Sequence, residues 1–182
     1  MKITQMALCF TAYLLLAGSS LIPEATIPPD TLRIRISGKI EMTGGYCGGA
    51  PPPKELLERA RQKRPLADYK LYIIEGSENT RHATIIDSTV TDSNGIFEFY
   101  LPAGEYVLLS PHQKDRAIFR NNLHNDYIAI KDLDCLEEWW QKGLMKLIVR
   151  DQPIDNIYFH FQKPCFLPAG VPCLVYTGPL PQ

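Results

Sequence analysis

Recognisable catalytic chemistry is missing from this sequence. Beyond residue 20 there is neither a Gly-x-Ser-x-Gly nucleophile motif nor a His-Glu-x-x-His metal motif. A Cys-x-x-Cys pair, which a redox-active dithiol needs, is also absent, and the four histidines form no ligand set by their spacing. We therefore predict that the protein is not an enzyme. A hydrolase in particular is disfavoured, because no nucleophile and base can be paired.

An excess of either charge is missing as well. The 182 residues include 19 basic and 20 acidic side chains, for a net charge of −1. Removal of the first 20 residues takes away Lys2 and no acid, which leaves 18 basic against 20 acidic side chains and a net charge of −2. This balance gives no electrostatic basis for binding nucleic acid or an anionic membrane.

Residues 1–20 have the pattern of a Sec-type signal peptide. Lys2 precedes an apolar run of 12 residues, Met6 to Ala17, and small residues suited to cleavage follow. Because this run is too short to span a bilayer, we favour a cleaved signal over the alternative, a short membrane anchor. Cys9 lies inside the run, too early for lipoprotein acylation. We expect a secreted or periplasmic protein that is not a lipoprotein and has no membrane span after signal removal.

Four cysteines follow this leader: Cys47, Cys135, Cys165 and Cys173. In an exported chain they most simply form two disulfides, and the sequence leaves three pairings open. The alternative is a zinc or copper(I) site made of these thiolates and His124. The spacing of the last two cysteines is not that of a zinc knuckle, and thiols do not persist easily in an oxidising compartment. We therefore favour disulfides and predict no resident cofactor or metal.

The fold prediction rests on Thr91–Ser110. Its Asn94-Gly95 pair favours a tight turn, since both residues tolerate positive φ. Apolar and polar side chains then alternate, as in a strand with one buried face. A second apolar run, Tyr106–Leu109, follows, and Arg81–Val90 precedes the turn. Together these segments predict a three-stranded β-meander.

The whole chain predicts an all-β, immunoglobulin-like antiparallel sandwich of about seven strands. The strands are predicted to start at Leu32, Lys70, Arg81, Gly95, Glu105, Leu144 and Asp155. Two short helical insertions are predicted at Lys54–Lys63 and Leu133–Gln141, the second with Asp134 as its N-cap. Tyr127–Lys131 and Ile118-Phe119 are further short strand candidates.

Four segments of the chain resemble a known family: SGKI, RPLADYKLYI, STVTDSNGIFEFYLPAGEYVLL and KLIVRDQPIDNIYFHF. They are similar to the transthyretin-like, or carboxypeptidase regulatory-like, β-sandwich domains of bacterial exported proteins. The matching positions are Gly38, Pro65, Leu66, Thr91, Asp92, Gly95, Phe97, Phe99, Leu101, Pro102, Gly104, Tyr106 and Leu108. The resemblance implies a sandwich that is usually not catalytic and that acts as an accessory or interaction module. Two insertions, after the first and fifth strands, and a cysteine-containing tail depart from the family pattern.

Four regions follow from these observations. We predict a signal peptide at 1–20, a linker at 21–31, a transthyretin-like sandwich at 32–163, and a Pro/Cys-rich tail at 164–182 that packs on the domain. The tail is expected to be irregular.

Strand parity predicts where the cysteines meet. If successive strands alternate in direction, the connections after the first, third and fifth strands lie at the end where the seventh strand finishes. All four cysteines fall in these regions, as do His112 and His124. We predict a disulfide-stapled pole there. Its candidate recognition residues are Cys47, Gly48, Gly49, Trp139 and Trp140.

Two aromatic residues of this pole are adjacent on a predicted helix. Trp139 and Trp140 point about 100° apart on a helix, so we expect one in the core and one partly exposed. A carbohydrate platform formed with Glu137 and Glu138 is a less favoured alternative to packing.

The sequence around Asp92 resembles the start of a calcium loop but lacks the later ligands, so we expect Asp92 to bind turn amides instead.

The predicted function is a non-catalytic exported module that binds or assembles with an envelope or extracellular protein, or with a glycan. The alternative is metal binding or metal delivery through the clustered cysteines and His124.

Overall fold

The computed structural model describes residues 32–114, 116 and 127–179. The predicted signal peptide and linker, the Ile118-Phe119 strand and His124 lie outside these residues. Within the described ranges the chain forms ten strands and three helices. The strands are β1 (Ile34–Thr43), β2 (Arg64–Pro65), β3 (Lys70–Glu75), β4 (Ile85–Val90), β5 (Ile96–Leu101), β6 (Gly104–Leu109), β7 (Ile128–Ile130), β8 (Met145–Val149), β9 (Ile154–Gln162) and β10 (Leu174–Tyr176). The helices are α1 (Lys54–Arg61), α2 (Pro111–Lys114) and α3 (Leu133–Lys142).

Eight of these strands form the two sheets of an all-β sandwich, as predicted. In the first sheet, β1 lies between β9 on one side and β5 with the short β2 on the other. The second sheet has the order β4-β3-β6-β8. The seven predicted main strands correspond to β1, β3, β4, β5, β6, β8 and β9. The remaining three strands are only two or three residues long.

The core lies between the two sheets and is built by simple alternation. In β5, Phe97 and Phe99 are buried, while Glu98 and Tyr100 between and beyond them are exposed. This period of two arises because successive side chains of a strand point to opposite faces. The buried cluster contains Ile34, Ile36, Ile40, Leu71, Ile73, Phe97, Phe99, Leu101, Tyr106, Leu108, Leu147, Val149, Ile157 and Phe161.

The predicted meander is wrong. Both β4 and β6 pair with β3, whereas β5 pairs with β1 in the other sheet. The turn before β5 therefore carries the chain from one sheet to the other. Gly95 has a φ of +75°, and a Cβ at this position would collide with the carbonyl oxygen of Ile40. Alternation in the sequence determines which face of β5 is buried, but it does not specify the neighbouring strand.

Asp92 stabilises this turn in the way the sequence predicts. Its carboxylate accepts hydrogen bonds from the backbone N–H groups of Ile96 at 2.8 Å and Asn94 at 2.9 Å. The bond from Ile96 has the larger effect, and together the two bonds lower the pKa of Asp92.

The directions of the main strands agree with the parity argument. Strands an odd number of places apart in the predicted series are antiparallel, as in the β1–β5, β3–β4, β3–β6 and β6–β8 pairs. The first and last main strands, β1 and β9, are an even number of places apart and pair in parallel. The two long insertions and the tail therefore leave strands that have the same parity.

The second insertion packs on the outer face of the second sheet. We call its anchor the polar knot: the side chains of Asn79 and Gln113 with the last carbonyl groups of α3. The side-chain amide nitrogen of Asn79 donates to the carbonyl oxygens of Gln113 and Trp140. The backbone N–H of Asn79 donates to the carbonyl oxygen of Gln141. The Gln113 amide nitrogen donates to the carbonyl of Trp139. The knot thus satisfies carbonyls at the helix C-terminus that have no partner within the helix itself.

The ends of α3 show one further difference from prediction. Its N-cap is Asp132, whose carboxylate accepts the backbone N–H of Cys135 at 3.0 Å, so the assignment of Asp134 is wrong. Asp134 already lies inside the first turn, where a carboxylate is favourable for the helix dipole but does not cap the helix. In the part of the chain that the structure describes, no helix is long and apolar enough to cross a membrane.

Candidate functional site

Two disulfides connect the tail to the two insertions. Cys47 in the first insertion pairs with Cys165, and Cys135 in the second pairs with Cys173. They close sequence separations of 118 and 38 residues. The prediction of two disulfides is confirmed, and the structure selects one of the three pairings that the sequence left open.

This pairing removes the thiolates that the metal alternative requires. A disulfide sulfur carries no thiolate charge, and thiolate is the form of cysteine that binds metal. Among residues 32–114, 116 and 127–179, no group of three or more His, Cys, Asp or Glu side chains is arranged to hold a metal ion.

The tail is more regular than predicted. Its strand β10 pairs antiparallel with β7, which lies within the second insertion. The backbone N–H of Lys131 donates to the carbonyl of Cys173 at 2.8 Å, next to the disulfide. Val171 packs with Leu136 of α3 in a small cluster of their own. The prediction missed β10 because three residues of strand, flanked by proline and glycine, give too short a pattern to recognise.

The candidate recognition residues differ in how much surface they offer. Gly48 and Gly49 are exposed in the loop around Cys47. Trp139 is half-buried and Trp140 is only 6% exposed, which confirms the expectation that adjacent tryptophans on a helix separate into one core residue and one partly exposed residue. The Arg116 guanidinium lies 5.5 Å from the Trp140 ring. Trp140 therefore offers almost no area to a partner.

A cleft of about 430 Å³ lies beside the Cys47–Cys165 disulfide. It opens where the end of β1, the first insertion and the start of the tail meet. The residues that line it are Met42, Gly44, Gly45, Cys47, Ala60, Arg64, Lys163, Pro164 and Phe166.

Backbone contacts hold each wall of this cleft. The N–H of Gly44 donates to the carbonyl of Ala60 at 2.9 Å, which fixes the end of α1 against the loop. The N–H of Lys163 donates to the carbonyl of Thr43 at 2.9 Å and fixes the tail. Arg64 lies opposite Met42 in the short β1–β2 ladder. The cleft is therefore framed by hydrogen bonds and one disulfide, and it does not depend on a side-chain core.

The polar lining of the cleft is cationic. Arg64 and Lys163 both line it, and no carboxylate does so within the described residues. Nor does either cation form a salt bridge with any carboxylate in those ranges. The neighbouring carboxylate of Glu41 is engaged elsewhere: a hydrogen bond from Lys39, followed by one from Tyr158, lowers the pKa of Glu41.

An exposed aromatic ring forms one edge of the cleft. Phe166 is 42% exposed, and its ring stacks on Tyr176 of β10 with centroids 4.5 Å apart. Its φ of +66° is unusual for an aromatic residue, because the Cβ crowds the backbone in this region. Such strain persists only where surrounding structure holds it, here the adjacent Cys165 disulfide and the stacked ring.

The sequence did not single out Arg64, Lys163 or Phe166. A weak signal existed, since both cations adjoin a proline and flank regions that strand parity brings to one pole. Their convergence depends on long-range pairing with the end of β1, Arg64 through the β1–β2 ladder and Lys163 through its bond to Thr43, which the sequence does not specify.

Comparisons with known proteins do not place the chain in a family. No protein-family model matches it, and neither does any curated protein sequence. Three solved structures are weakly similar: the TIE protein of Bacillus anthracis, the major plantain pollen allergen Pla l 1, and a 9R-lipoxygenase from Cyanothece PCC8801. Their TM-scores are 0.32, 0.33 and 0.26, and their sequence identities are 12%, 12% and 17%.

The matched regions cover 71%, 75% and 76% of this chain. They cover 17%, 98% and 17% of the three proteins, so this chain spans only a small part of the first and the third. At such low TM-scores these likenesses carry no argument about function.

Proposed function

We propose that this protein is a non-catalytic exported module of the transthyretin-like type, which binds or assembles with an envelope or extracellular protein. Its recognition surface is the stapled pole, defined as residues 44–53, α1, residues 163–179 and the two disulfides. One observation carries this proposal: two covalent links fix the tail to both insertions.

The stapled pole is not needed to complete the sandwich core. Against the described part of the chain, α1 buries none of its side chains. Ordering backbone costs about 1–2 kcal/mol per residue, and α1 gains no core burial to offset it. Disulfides stabilise such a segment by restricting the unfolded chain, typically by about 2–4 kcal/mol each. A segment that is fixed without serving the core is available for recognition, which supports the proposal.

The packing at positions shared with the transthyretin-like pattern supports the family assignment. Gly38 lies in β1 between β5 and β9, where a Cβ would collide with Phe97 and with Ile157. Glycine is thus required for the close approach of three strands. The export assignment is supported by the disulfides, which form and persist in oxidising compartments.

A capture experiment tests the proposal. The tagged, oxidised protein is used to capture partners from the envelope fraction of its own cells, with variants Gly49→Arg in the stapled pole and Gln152→Arg in the β8–β9 connection. Both sites are exposed, and strand parity puts them at opposite ends of the sandwich. We expect one envelope protein to be captured by the wild type and by Gln152→Arg but not by Gly49→Arg. Equal capture by both variants, or no captured protein, contradicts the proposal.

A further inference from the structure

We infer that the cleft beside the Cys47–Cys165 disulfide binds a small organic anion, which consists of one carboxylate and an apolar body. Arg64 and Lys163 hold the carboxylate, and the apolar body lies against Met42, Ala60 and Phe166. This inference goes beyond the proposed function, because such a ligand binds without any protein partner.

The size and lining of the cleft suit a small molecule. Ligand sites in proteins typically enclose about 300–1,000 Å³ and combine an apolar wall with a few polar groups that set orientation. This cleft has a volume of about 430 Å³ and falls within that range. Its wall contains a thioether, a disulfide, a proline and a phenyl ring, with two cations as its only charged groups among the described residues.

The two cations that line the cleft favour an anionic ligand. Arg35, on the outer face of the first sheet, shows how this protein satisfies an arginine: it pairs with Glu98 and Asp155. In contrast, the guanidinium of Arg64 makes one long hydrogen bond to the described residues, 3.4 Å to the carbonyl of Arg59. A guanidinium has five N–H donors in a planar fork that matches a carboxylate. Most of this donor capacity remains for a ligand.

The apolar wall of the cleft favours a carboxylate attached to an apolar body over a free phosphate. Phosphate sites use a series of free backbone N–H groups as well as cations. Here the N–H of Gly44 is already donated to Ala60, and that of Lys163 to Thr43. Two side-chain cations with an apolar wall match one negative group attached to an apolar body.

The backbone segments that carry the two cations are held in place before any ligand binds. Arg64 is paired with Met42 in the sheet, and Lys163 directly follows β9 and is bonded to the residue that ends β1. Both therefore extend from neighbouring parts of one sheet. Preorganised groups lose less conformational entropy on binding than groups on a mobile loop.

Calorimetric titration of the oxidised protein tests the inference with two matched probes, 4-phenylbutyrate and its uncharged amide, 4-phenylbutanamide. We expect the acid to bind with a Kd of about 1 mM or tighter. Loss of a charged hydrogen-bonding partner weakens binding about tenfold or more, so the amide and the Arg64→Gln variant are expected to bind at least tenfold more weakly than the acid and the wild type. Lys163→Gln is expected to weaken binding about fivefold, because a lysine ammonium is a point charge and lacks the planar fork of arginine.

Matched controls separate the cleft from general surface charge. Arg61→Gln and Lys54→Gln remove the same charges from α1 at positions that do not line the cleft, and both are expected to bind the acid as the wild type does. Circular dichroism confirms that each variant is folded. The inference is overturned by equal binding of acid and amide, by equal weakening in cleft and control variants, or by the absence of binding. Because capture of an envelope protein is measured separately with Gly49→Arg, either proposal can fail without the other.

Discussion

The first insertion, residues 44–63, and the second, residues 110–144, leave the sandwich after strands of the same parity. Among the residues that the structure describes, only the second packs on a sheet. In the first, Leu56 of α1 is 44% exposed. In the second, Leu136 and Trp140 of α3 are each 6% exposed, and the polar knot satisfies the end of the helix. Each insertion carries one cysteine that is bonded to the tail.

The difference shows two ways of ordering a long connection. The second insertion is held by buried side chains: Leu136 packs with Val171 of the tail, and Gly143 lies against the Val107 and Leu109 side chains of the second sheet. The first is held by its disulfide and a few backbone hydrogen bonds. The first insertion buries none of the side chains of its helix α1 against the described residues, and a cleft lies beside it. Recognition chemistry is expected on the insertion that the fold does not use for packing.

The largest expected contrast comes from matched leucine truncations in the two helices. Leu136→Ala removes a buried side chain and is expected to lower the free energy of unfolding by about 2–4 kcal/mol. Leu56→Ala, at an exposed position, is expected to change it by less than about 0.5 kcal/mol. Urea unfolding of the oxidised variants measures both. Equal losses in the two variants contradict the comparison.

Matched glycine substitutions give the next contrast. Gly143 follows α3 with a φ of +66°, and a Cβ there would collide with the Val107 side chain and lie 2.8 Å from the carbonyl of Leu108. Gly143→Ala is expected to cost about 2–3 kcal/mol through backbone strain and overpacking. In the first insertion, a Cβ on Gly44 meets only the carbonyl of Ala60, at 3.5 Å, within the described structure. Gly44→Ala is expected to stay within about 0.5 kcal/mol of the wild type in the same urea assay. A loss at Gly44 as large as that at Gly143 opposes this account.

The polar knot predicts a smaller effect. Asn79 is 3% exposed and donates three hydrogen bonds, two of them to the end of α3. Asn79→Ala removes both side-chain bonds and leaves buried carbonyls without a donor, so we expect a loss of about 1–3 kcal/mol. The exposed neighbour Glu78→Ala is the control and is expected to be neutral. Thermal unfolding measures both, and an unchanged midpoint in Asn79→Ala contradicts the role of the knot.

Acid is expected to destabilise the second insertion through a histidine that the first insertion lacks. Burial lowers the pKa of His112 in α2, and the first insertion has no histidine. The folded state therefore binds a proton less readily than the unfolded state. The contribution of neutral His112 to stability is present above about pH 6.5 and is lost as the pH falls through the lower, folded-state pKa. His112→Asn is expected to reduce the loss of stability between pH 7 and lower pH. Identical pH profiles for variant and wild type contradict this prediction.

The sequence predicts the strands better than their arrangement. Period-two alternation located the β5 strand and its buried phenylalanines, and parity identified which connections share an end. Neither pattern identifies the sheet to which a strand belongs, because a Phe97 side chain facing the core satisfies the same alternation in either sheet. The meander failed for this reason.

The candidate site was predictable only in part. The sequence placed the cysteines at one pole, but the cleft depends on Arg64 from β2 and Lys163 from the tail. These residues lie almost one hundred positions apart and meet through their separate bonds to the end of β1. The polar knot could not be predicted from the sequence for a related reason. Asn79 and Gln113 lie in polar segments, and that polarity predicts only loops.

The pairing of the cysteines is the claim on which the stapled pole depends most directly. Peptide mapping of the exported protein by mass spectrometry under non-reducing conditions measures it, with free thiols trapped before digestion. The account predicts one linked peptide pair joining Cys47 to Cys165, another joining Cys135 to Cys173, and no trapped thiol at these four positions. A link between Cys47 and Cys135, a link between Cys165 and Cys173, or free thiols at these positions would contradict it.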